Sequence, residues 1–207
     1  MTSVKLCLMT LYHPIVVTEY IKKQRDKRMN WMPVIVILLL TLAVRIFSIY
    51  FTHYPLASVS VRKANLLLEC GKLFVPILTW VLASYAMTTI LDGETLFRET
   101  MLFSAYALTP YIVFTVPLTL LSRLMDQGQA GLFGTIEAVI LIWSVALMIL
   151  ALKEMNSYSP GKTVVMVLLT VFTMVMIWAT IVLLFTISSQ FVTMLQEVFY
   201  EVIYRMG

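Results

Sequence analysis

Four charged residues of this sequence lie inside or at the edge of long apolar segments. They are Arg45, Glu69, Lys72 and Glu137. An unpaired ionised group inside a bilayer costs from about 2.5 kcal/mol upward, so such a residue is commonly paired or functional. One interpretation is a paired polar cluster in which Arg45 or Lys72 compensates Glu137. The alternative, open for all but the deeper Glu137, is that the two cations extend to the membrane surface and Glu69 is hydrated.

A second candidate is a proline-containing motif in the third apolar segment. It comprises Tyr106, Thr109, Pro110, Tyr111 and Pro117. Each proline removes one helical hydrogen bond and frees the carbonyl four residues earlier, so two kinks are predicted. Inside a membrane the freed carbonyls need donors, which Thr109, Tyr106 or a neighbouring helix could supply. Broken helices line substrate sites in transporters, but a kink that only shapes packing is the more common outcome.

Two short connecting segments carry the remaining candidates, Asp92, Gly93, Glu94 and Lys162. An Asp-Gly pair is typical of a turn. The carboxylates of Asp92 and Glu94 are free to contact Lys153, Lys162 or a partner protein. Gly161-Lys162-Thr163 does not predict a nucleotide loop, because position 156 is Asn where that motif needs glycine.

No catalytic, metal or cofactor site is indicated by the sequence. The only histidines, His13 and His53, lie outside the apolar segments and on opposite sides of the predicted membrane, so they cannot form a zinc pair. A serine or cysteine nucleophile would need a buried histidine base, and no apolar segment contains one. We therefore expect a protein that is not an enzyme.

Five basic residues cluster before the first apolar segment. They are Lys22, Lys23, Arg25, Lys27 and Arg28. Each basic residue near an anionic leaflet contributes on the order of 1 kcal/mol of attraction, so this segment is a candidate for contacts with lipid head groups. It is equally consistent with a role in topology alone.

These residues are positioned by an all-α membrane fold. Of the 207 residues, 60% are apolar and 13% charged, against roughly 45–50% and 25% in soluble domains. A helix needs about 20 apolar residues to cross a bilayer, and five segments qualify. The predicted organisation is a basic, interfacial N-terminal segment at 1–30, a membrane domain at 31–187, and an amphipathic helix at 188–207. The predicted spans are 31–51, 73–91, 100–122, 131–152 and 163–187.

Basic residues near the span ends predict the direction of insertion, because their translocation is disfavoured. With the N-terminus inside, nine lysines and arginines flank the spans on the inner side and four on the outer side. The predicted topology therefore has a cytoplasmic N-terminus and an external C-terminus. The net charge of +4 reflects this N-terminal cluster and not a surface for nucleic acid. The C-terminal amphipathic helix is predicted to lie on lipid or on a partner.

Four motifs occur in a fixed order along the chain, His13-Pro14, Met87 to Glu94, Tyr106 to Tyr111, and Tyr158 to Thr163. In these motifs the chain resembles the bacterial branch of the Yip (Ypt/Rab-interacting protein) family of five-span membrane proteins. The resemblance covers nearly the whole chain.

This resemblance implies a five-helix bundle with the N-terminus in the cytoplasm. Eukaryotic relatives bind Rab-type GTPases through a long cytosolic N-terminal region, whereas the corresponding region of this chain is basic and only about 30 residues long, which argues against Rab binding. Bacterial relatives often accompany carbohydrate-uptake genes. The leading hypothesis is a non-enzymatic scaffold or accessory subunit in the plasma membrane that contacts lipid and a membrane protein partner or a second copy. The alternative is a small transporter or channel subunit that uses Glu137, Arg45 and Lys72.

Overall fold

The computed structural model describes residues 3–23, 25, 31–53, 56 and 65–206. Every regular element among these residues is helical, and five segments are long and apolar enough to cross a bilayer, which confirms the all-α fold with five candidate spans. The helices are α1 (Ser3–Tyr12), α2 (Pro14–Lys23), α3 (Met32–Phe51), α4 (Leu66–Ile90), α5 (Phe97–Tyr106), α6 (Thr109–Leu121), α7 (Ala130–Met155) and α8 (Pro160–Met206).

The second span begins earlier than the apolar pattern predicts. Helix α4 starts at Leu66, seven residues before the predicted start at 73. The side chain of Asn65 accepts a hydrogen bond from the backbone N–H of Leu67 at 3.0 Å, which caps the helix at this point. As a result, Glu69 and Lys72 belong to the first two turns of the helix and not to the preceding loop.

The third span consists of two helices. Helix α5 ends at Tyr106, a turn follows at Ala107 and Leu108, and α6 starts at Thr109 with Pro110 in its first turn. The Thr109 hydroxyl donates to the Tyr106 carbonyl at 2.6 Å, which is the carbonyl that Pro110 deprives of a helical donor. Helix α6 continues through Pro117 without interruption. The break therefore lies at the first proline of the motif and not at both.

The fifth span belongs to a helix of 47 residues. At 1.5 Å per residue this helix is about 70 Å long, and the segment predicted as a separate amphipathic helix is its continuation as far as Met206. It packs mainly on α4, and the Trp178 indole donates to the Thr79 hydroxyl at 3.2 Å. In the most apolar part of α8, only 6% of the residues are buried, whereas 28–61% are buried in the corresponding parts of the other four spans. Helix α8 thus presents most of its apolar surface to the surroundings of the chain.

The N-terminal segment is helical and packs on the bundle. Helix α2 lies along α7, and its Val17 and Ile21 are buried in the same apolar cluster as Met148 and Ala151. Helix α1 contributes Leu6 to this cluster. The predicted interfacial segment is therefore partly built into the core.

Buried apolar side chains form a larger cluster towards one end of the bundle and a smaller one towards the other. We call the first the Glu99 end, where α2 terminates and the α4–α5 and α7–α8 connections lie. The opposite end, where α3 terminates and α4 begins, is called the Glu69 end.

Candidate functional site

The first polar site is the Glu69 cluster, which comprises Arg45, Glu69, Lys72, Tyr111 and Glu137. The Arg45 guanidinium donates to one Glu69 carboxylate oxygen at 2.7 and 3.2 Å, and the Lys72 ammonium donates to the other at 2.7 Å. The Glu69 side chain is 4% exposed and that of Lys72 65%. Glu69 is therefore a buried carboxylate with two cationic partners, and not the hydrated surface group that the sequence also allowed.

Glu137 lies at the edge of this cluster. The charge of Arg45 also acts on Tyr111 and on the half-buried Glu137. Glu137 forms no ion pair or hydrogen bond with another described residue. The structure thus brings the four predicted charges together. Both cations, Arg45 and Lys72, form ion pairs with Glu69 and not with Glu137.

A second buried carboxylate lies at the Glu99 end. Arg25 donates to both Glu99 oxygens, from Nε at 2.8 Å and from Nη2 at 2.9 Å. Glu99 also accepts the backbone N–H of Leu96 at 2.9 Å and is 1% exposed. Arg25 contacts the Glu94 carbonyl at 2.6 Å, and Arg98 donates to the Arg25 carbonyl. This network, the Arg25–Glu99 pair, fastens the end of the N-terminal segment to the α4–α5 connection.

The five basic residues assigned to lipid head groups have different environments. Lys22 donates to the Ser157 hydroxyl at 3.1 Å, and Arg25 binds Glu99. Lys23 is exposed. Lys27 and Arg28 lie outside the described residues. Lys22 and Arg25, which were assigned to lipid head groups, thus bind other residues of the protein.

The Asp92-Gly93-Glu94 turn packs against the α7–α8 connection. The Asn156 side-chain oxygen accepts the Thr95 backbone N–H at 3.2 Å and the Thr95 hydroxyl at 2.7 Å. A Cβ on Gly93 would lie 2.6 Å from the Tyr158 hydroxyl oxygen, 2.7 Å from the Asn156 side-chain oxygen and 2.8 Å from Thr88. Only glycine fits this approach without displacement of its neighbours.

Lys162 and Tyr158 complete this junction. The Lys162 ammonium donates to the Leu91 carbonyl at 3.3 Å and lies 4.4 Å from the centre of the Tyr158 ring. The Tyr158 hydroxyl is buried without a hydrogen-bond partner among the described residues. Burial, and to a smaller extent the charge of Asp92, raise the pKa of Tyr158. The Asp92 and Glu94 side chains are exposed and form no ion pair with a described residue.

Polar side chains are also buried elsewhere in the bundle. A small cavity at the Glu99 end, of about 20 Å³, is bordered by the polar side chains of Ser84, Thr95, Ser104 and Asn156. This is room for about one water molecule. The spans bury apolar side chains, among them Ile37 and Leu147. They also bury hydroxyl side chains, among them Thr41, Thr115 and Ser144.

Sequence reasoning missed Glu99, Asn156 and Tyr158 as site residues. Glu99 could have been suspected, because a carboxylate in the first turn of an apolar helix is well placed to cap that helix and to meet a nearby arginine. Asn156 and Tyr158 carried no such signal, since their contacts depend on the close approach of two connections distant in sequence. Among the described residues, no group of three or more histidine, cysteine or acidic side chains is arranged to hold a metal ion.

Comparison with known proteins identifies the family. A model of the Yip1 domain matches residues 9–194, which is most of the chain. The protein belongs to the Yip1 domain family. Members of this family are generally non-catalytic membrane proteins, and the five candidate spans make this Yip1-domain protein an integral membrane protein. No curated protein and no solved structure matches the chain.

Proposed function

We propose that this Yip1-domain protein is a non-enzymatic scaffold or accessory subunit that organises a membrane complex by binding a membrane protein partner along α8. The exposure of α8 carries the proposal. Its described buried residues are confined to the first third of the helix, at Thr163, Met166 and Thr170, and large apolar side chains are exposed from Val171 onward. In a membrane, a helix face that is not packed within its own chain can pair with a helix of another protein through van der Waals packing and interhelical hydrogen bonds.

The length of α8 supports this assignment. The helix carries no charge from Thr163 to Gln196, a stretch of about 50 Å, whereas the hydrocarbon core is about 30 Å thick. No proline or glycine interrupts the helix after Gly161, so it has no obvious bend that would lay its end flat on the membrane. The uncharged part of α8 is thus longer than the hydrocarbon core is thick. A partner protein that covers the excess apolar surface would shield it from water.

The proposed setting is the bacterial plasma membrane, with the Glu99 end in the cytoplasm. The basic residues before the first span support this direction. Asp92 and Glu94, exposed and without ion pairs among the described residues, are the proposed cytoplasmic contacts, and a carbohydrate-uptake system is the proposed association. We do not include a Rab-type GTPase, because the N-terminal segment is packed on the bundle through Val17 and Arg25.

Site-specific photocrosslinking in native membranes tests the scaffold. A photoreactive residue at Phe172 or Leu183, both exposed on α8, is expected to capture one specific membrane protein, identified by mass spectrometry. The matched control is Thr170 on the same helix, which is fully buried and should crosslink only within the chain. Crosslinks to many unrelated proteins in proportion to their abundance would contradict the proposal.

Liposome flux separates the scaffold from the transporter alternative. The purified scaffold should conduct no solute, and Glu137→Gln should leave partner capture unchanged. Solute flux by the protein alone that Glu137→Gln abolishes would favour the transporter instead, because Glu137 is the half-buried charge without an ion pair in the Glu69 cluster.

A further inference from the structure

An apolar groove lies between α1, α3 and α6 at the Glu99 end. Its volume is about 440 Å³, within the range of roughly 300–1,000 Å³ that ligand clefts occupy. The walls include Leu8 of α1, Val36 and Leu40 of α3, and Val113 of α6. These side chains are between about one-third and two-thirds exposed, so the groove is open to the surroundings of the chain.

The polar groups in the groove are already engaged. The Thr109 hydroxyl donates to the Tyr106 carbonyl, and the Cys7 thiol contacts Thr109. The groove therefore offers little hydrogen bonding to a ligand, and its remaining lining is apolar. Such a surface fits a hydrocarbon chain and not a sugar or a nucleotide.

The position of the groove matches one leaflet of the bilayer. Along α3 it runs from Met32, the first residue of the helix, to Leu40. This is about 12 Å, close to the roughly 15 Å hydrocarbon depth of a single leaflet. An acyl chain that enters at the membrane surface would fill this length.

The cation of α1 is Lys5, which lies outside the lining of the groove. Lys5 is exposed and precedes Leu8 by three residues, which places both side chains on one face of α1. A lysine ammonium attracts the phosphate of an anionic lipid. We propose that the groove binds one acyl chain of an anionic phospholipid from the leaflet at the Glu99 end, with the lipid phosphate held by Lys5. This site goes beyond the scaffold function and does not depend on it.

Photoreactive phospholipids test the site in the full-length protein. The protein is reconstituted into phosphatidylcholine vesicles that contain phosphatidylglycerol with a diazirine in one acyl chain, and the crosslinked peptides are mapped. Labelling is expected at α1, at Val36 and at Val113, above the level at Leu39, which is exposed on α3 outside the groove. Equal labelling of Leu39 and Val36 would overturn the proposal.

Two pairs of variants separate groove binding from general lipid contact. Val36→Trp should fill the groove and reduce labelling at Val113 severalfold, whereas Leu39→Trp should not. Lys5→Gln should reduce labelling by phosphatidylglycerol about five-fold and leave labelling by a phosphatidylcholine probe unchanged, with the exposed Lys23→Gln as the control.

If neither Val36→Trp nor Lys5→Gln changes the labelling, the proposed lipid site is wrong. If Val36→Trp prevents folding, the labelling map of the unmodified chain and the Lys5→Gln comparison decide the question.

Discussion

At the scale of single residues, two buried carboxylates at opposite ends of the bundle have similar surroundings. Glu69 and Glu99 each lie in the first turn of a helix, where the unpaired backbone N–H groups favour negative charge. Each also takes an arginine from an earlier part of the chain, Arg45 or Arg25. The two acids therefore join separate elements and are compensated both by helix ends and by cations.

The Arg25–Glu99 pair predicts an asymmetric response to mutation. Arg25→Gln leaves a carboxylate that is 2% exposed without its cation, whereas Glu99→Gln leaves an arginine that is 33% exposed and can be hydrated. We expect Arg25→Gln to lower the free energy of unfolding by roughly 2–4 kcal/mol, less than for a fully buried pair, and Glu99→Gln to cost less. Reversible unfolding in mixed micelles measures both.

Lys23→Gln is the control for this prediction, because Lys23 is an exposed basic residue of the same segment. It should leave the free energy of unfolding within about 0.5 kcal/mol of the original. Equal losses for Lys23→Gln and Arg25→Gln would mean that the ion pair contributes no specific stability.

We predict that adding one methyl group at Gly93 has a steric effect. A Cβ at this position would overlap the side chains of Tyr158, Asn156 and Thr88. We expect Gly93→Ala to reduce the free energy of unfolding by about 1–3 kcal/mol. The control is Gly134→Ala within α7, where a Cβ meets nothing within 4 Å and alanine should be neutral or stabilising. The prediction fails if both variants behave alike.

We predict that the original protein and its Tyr158→Phe variant differ in stability at alkaline pH. Burial and Asp92 raise the pKa of its hydroxyl above the ordinary value of about 10. The folded state thus favours the neutral phenol, so this contribution to stability is complete below about pH 10 and is lost as the pH rises through the raised pKa. Tyr158→Phe cannot ionise, and it should lose less stability than the original protein above about pH 10.

At neutral pH, Tyr158→Phe should not destabilise the protein, because the hydroxyl that it removes is buried without a partner among the described residues. Thermal unfolding across a pH series measures both effects. Parallel pH profiles for the two proteins would exclude the ionisation of Tyr158 as the cause.

At the scale of the elements, a side-chain hydrogen bond from Thr109 stabilises the break in the third span. Thr109 donates to the Tyr106 carbonyl, whose helical donor is missing because residue 110 is proline. Thr109→Val should cost about 1–3 kcal/mol of unfolding free energy. Thr119 is the matched control, since it donates to the Thr115 carbonyl within the continuous part of α6, where the backbone donor remains. Similar losses for Thr109→Val and Thr119→Val in mixed-micelle unfolding would contradict this account.

The elements were largely predictable because length and hydropathy alone define a membrane helix. The first span was placed within one residue of its observed start at Met32. The start of α4 was missed, because Glu69 and Lys72 interrupt the apolar pattern, whereas in the structure Glu69 is paired with Arg45 and Lys72 within the first two turns of the helix. The continuity of α8 was missed for the opposite reason, since an apolar stretch longer than a bilayer was divided where its composition changes.

At the scale of the whole molecule, the proposed topology of five spans puts the two ends of the chain on opposite sides of the membrane. Lys23 lies at the Glu99 end, next to Lys22 and its contact with Ser157, while Gln196 lies near the far end of α8. In a chain without its native cysteines, Lys23→Cys and Gln196→Cys should react with a membrane-impermeant maleimide from opposite sides. Only Gln196→Cys is expected to react in intact cells, and reaction of both would contradict the proposed topology.

The arrangement of the polar sites could be predicted only in part. Sequence placed Arg45, Glu69, Lys72 and Glu137 on the same side of the membrane, with Glu137 the deepest, because depth follows from position along each helix. It did not predict that Arg45 pairs with Glu69 and not with Glu137, because that choice depends on how each helix is rotated about its own axis. The same limit applies to Glu99, whose partner is supplied by a segment outside the five spans.

Helix α8 also has a mechanical consequence for the molecule. It is held against α4 as far as Trp178, and about 42 Å of uninterrupted helix extend from there to Met206. A rotation of ten degrees about Trp178 would move the far end sideways by about 7 Å. Helix α8 would in this way act as a lever, which converts a small rotation of the bundle into a displacement of several ångströms at its far end.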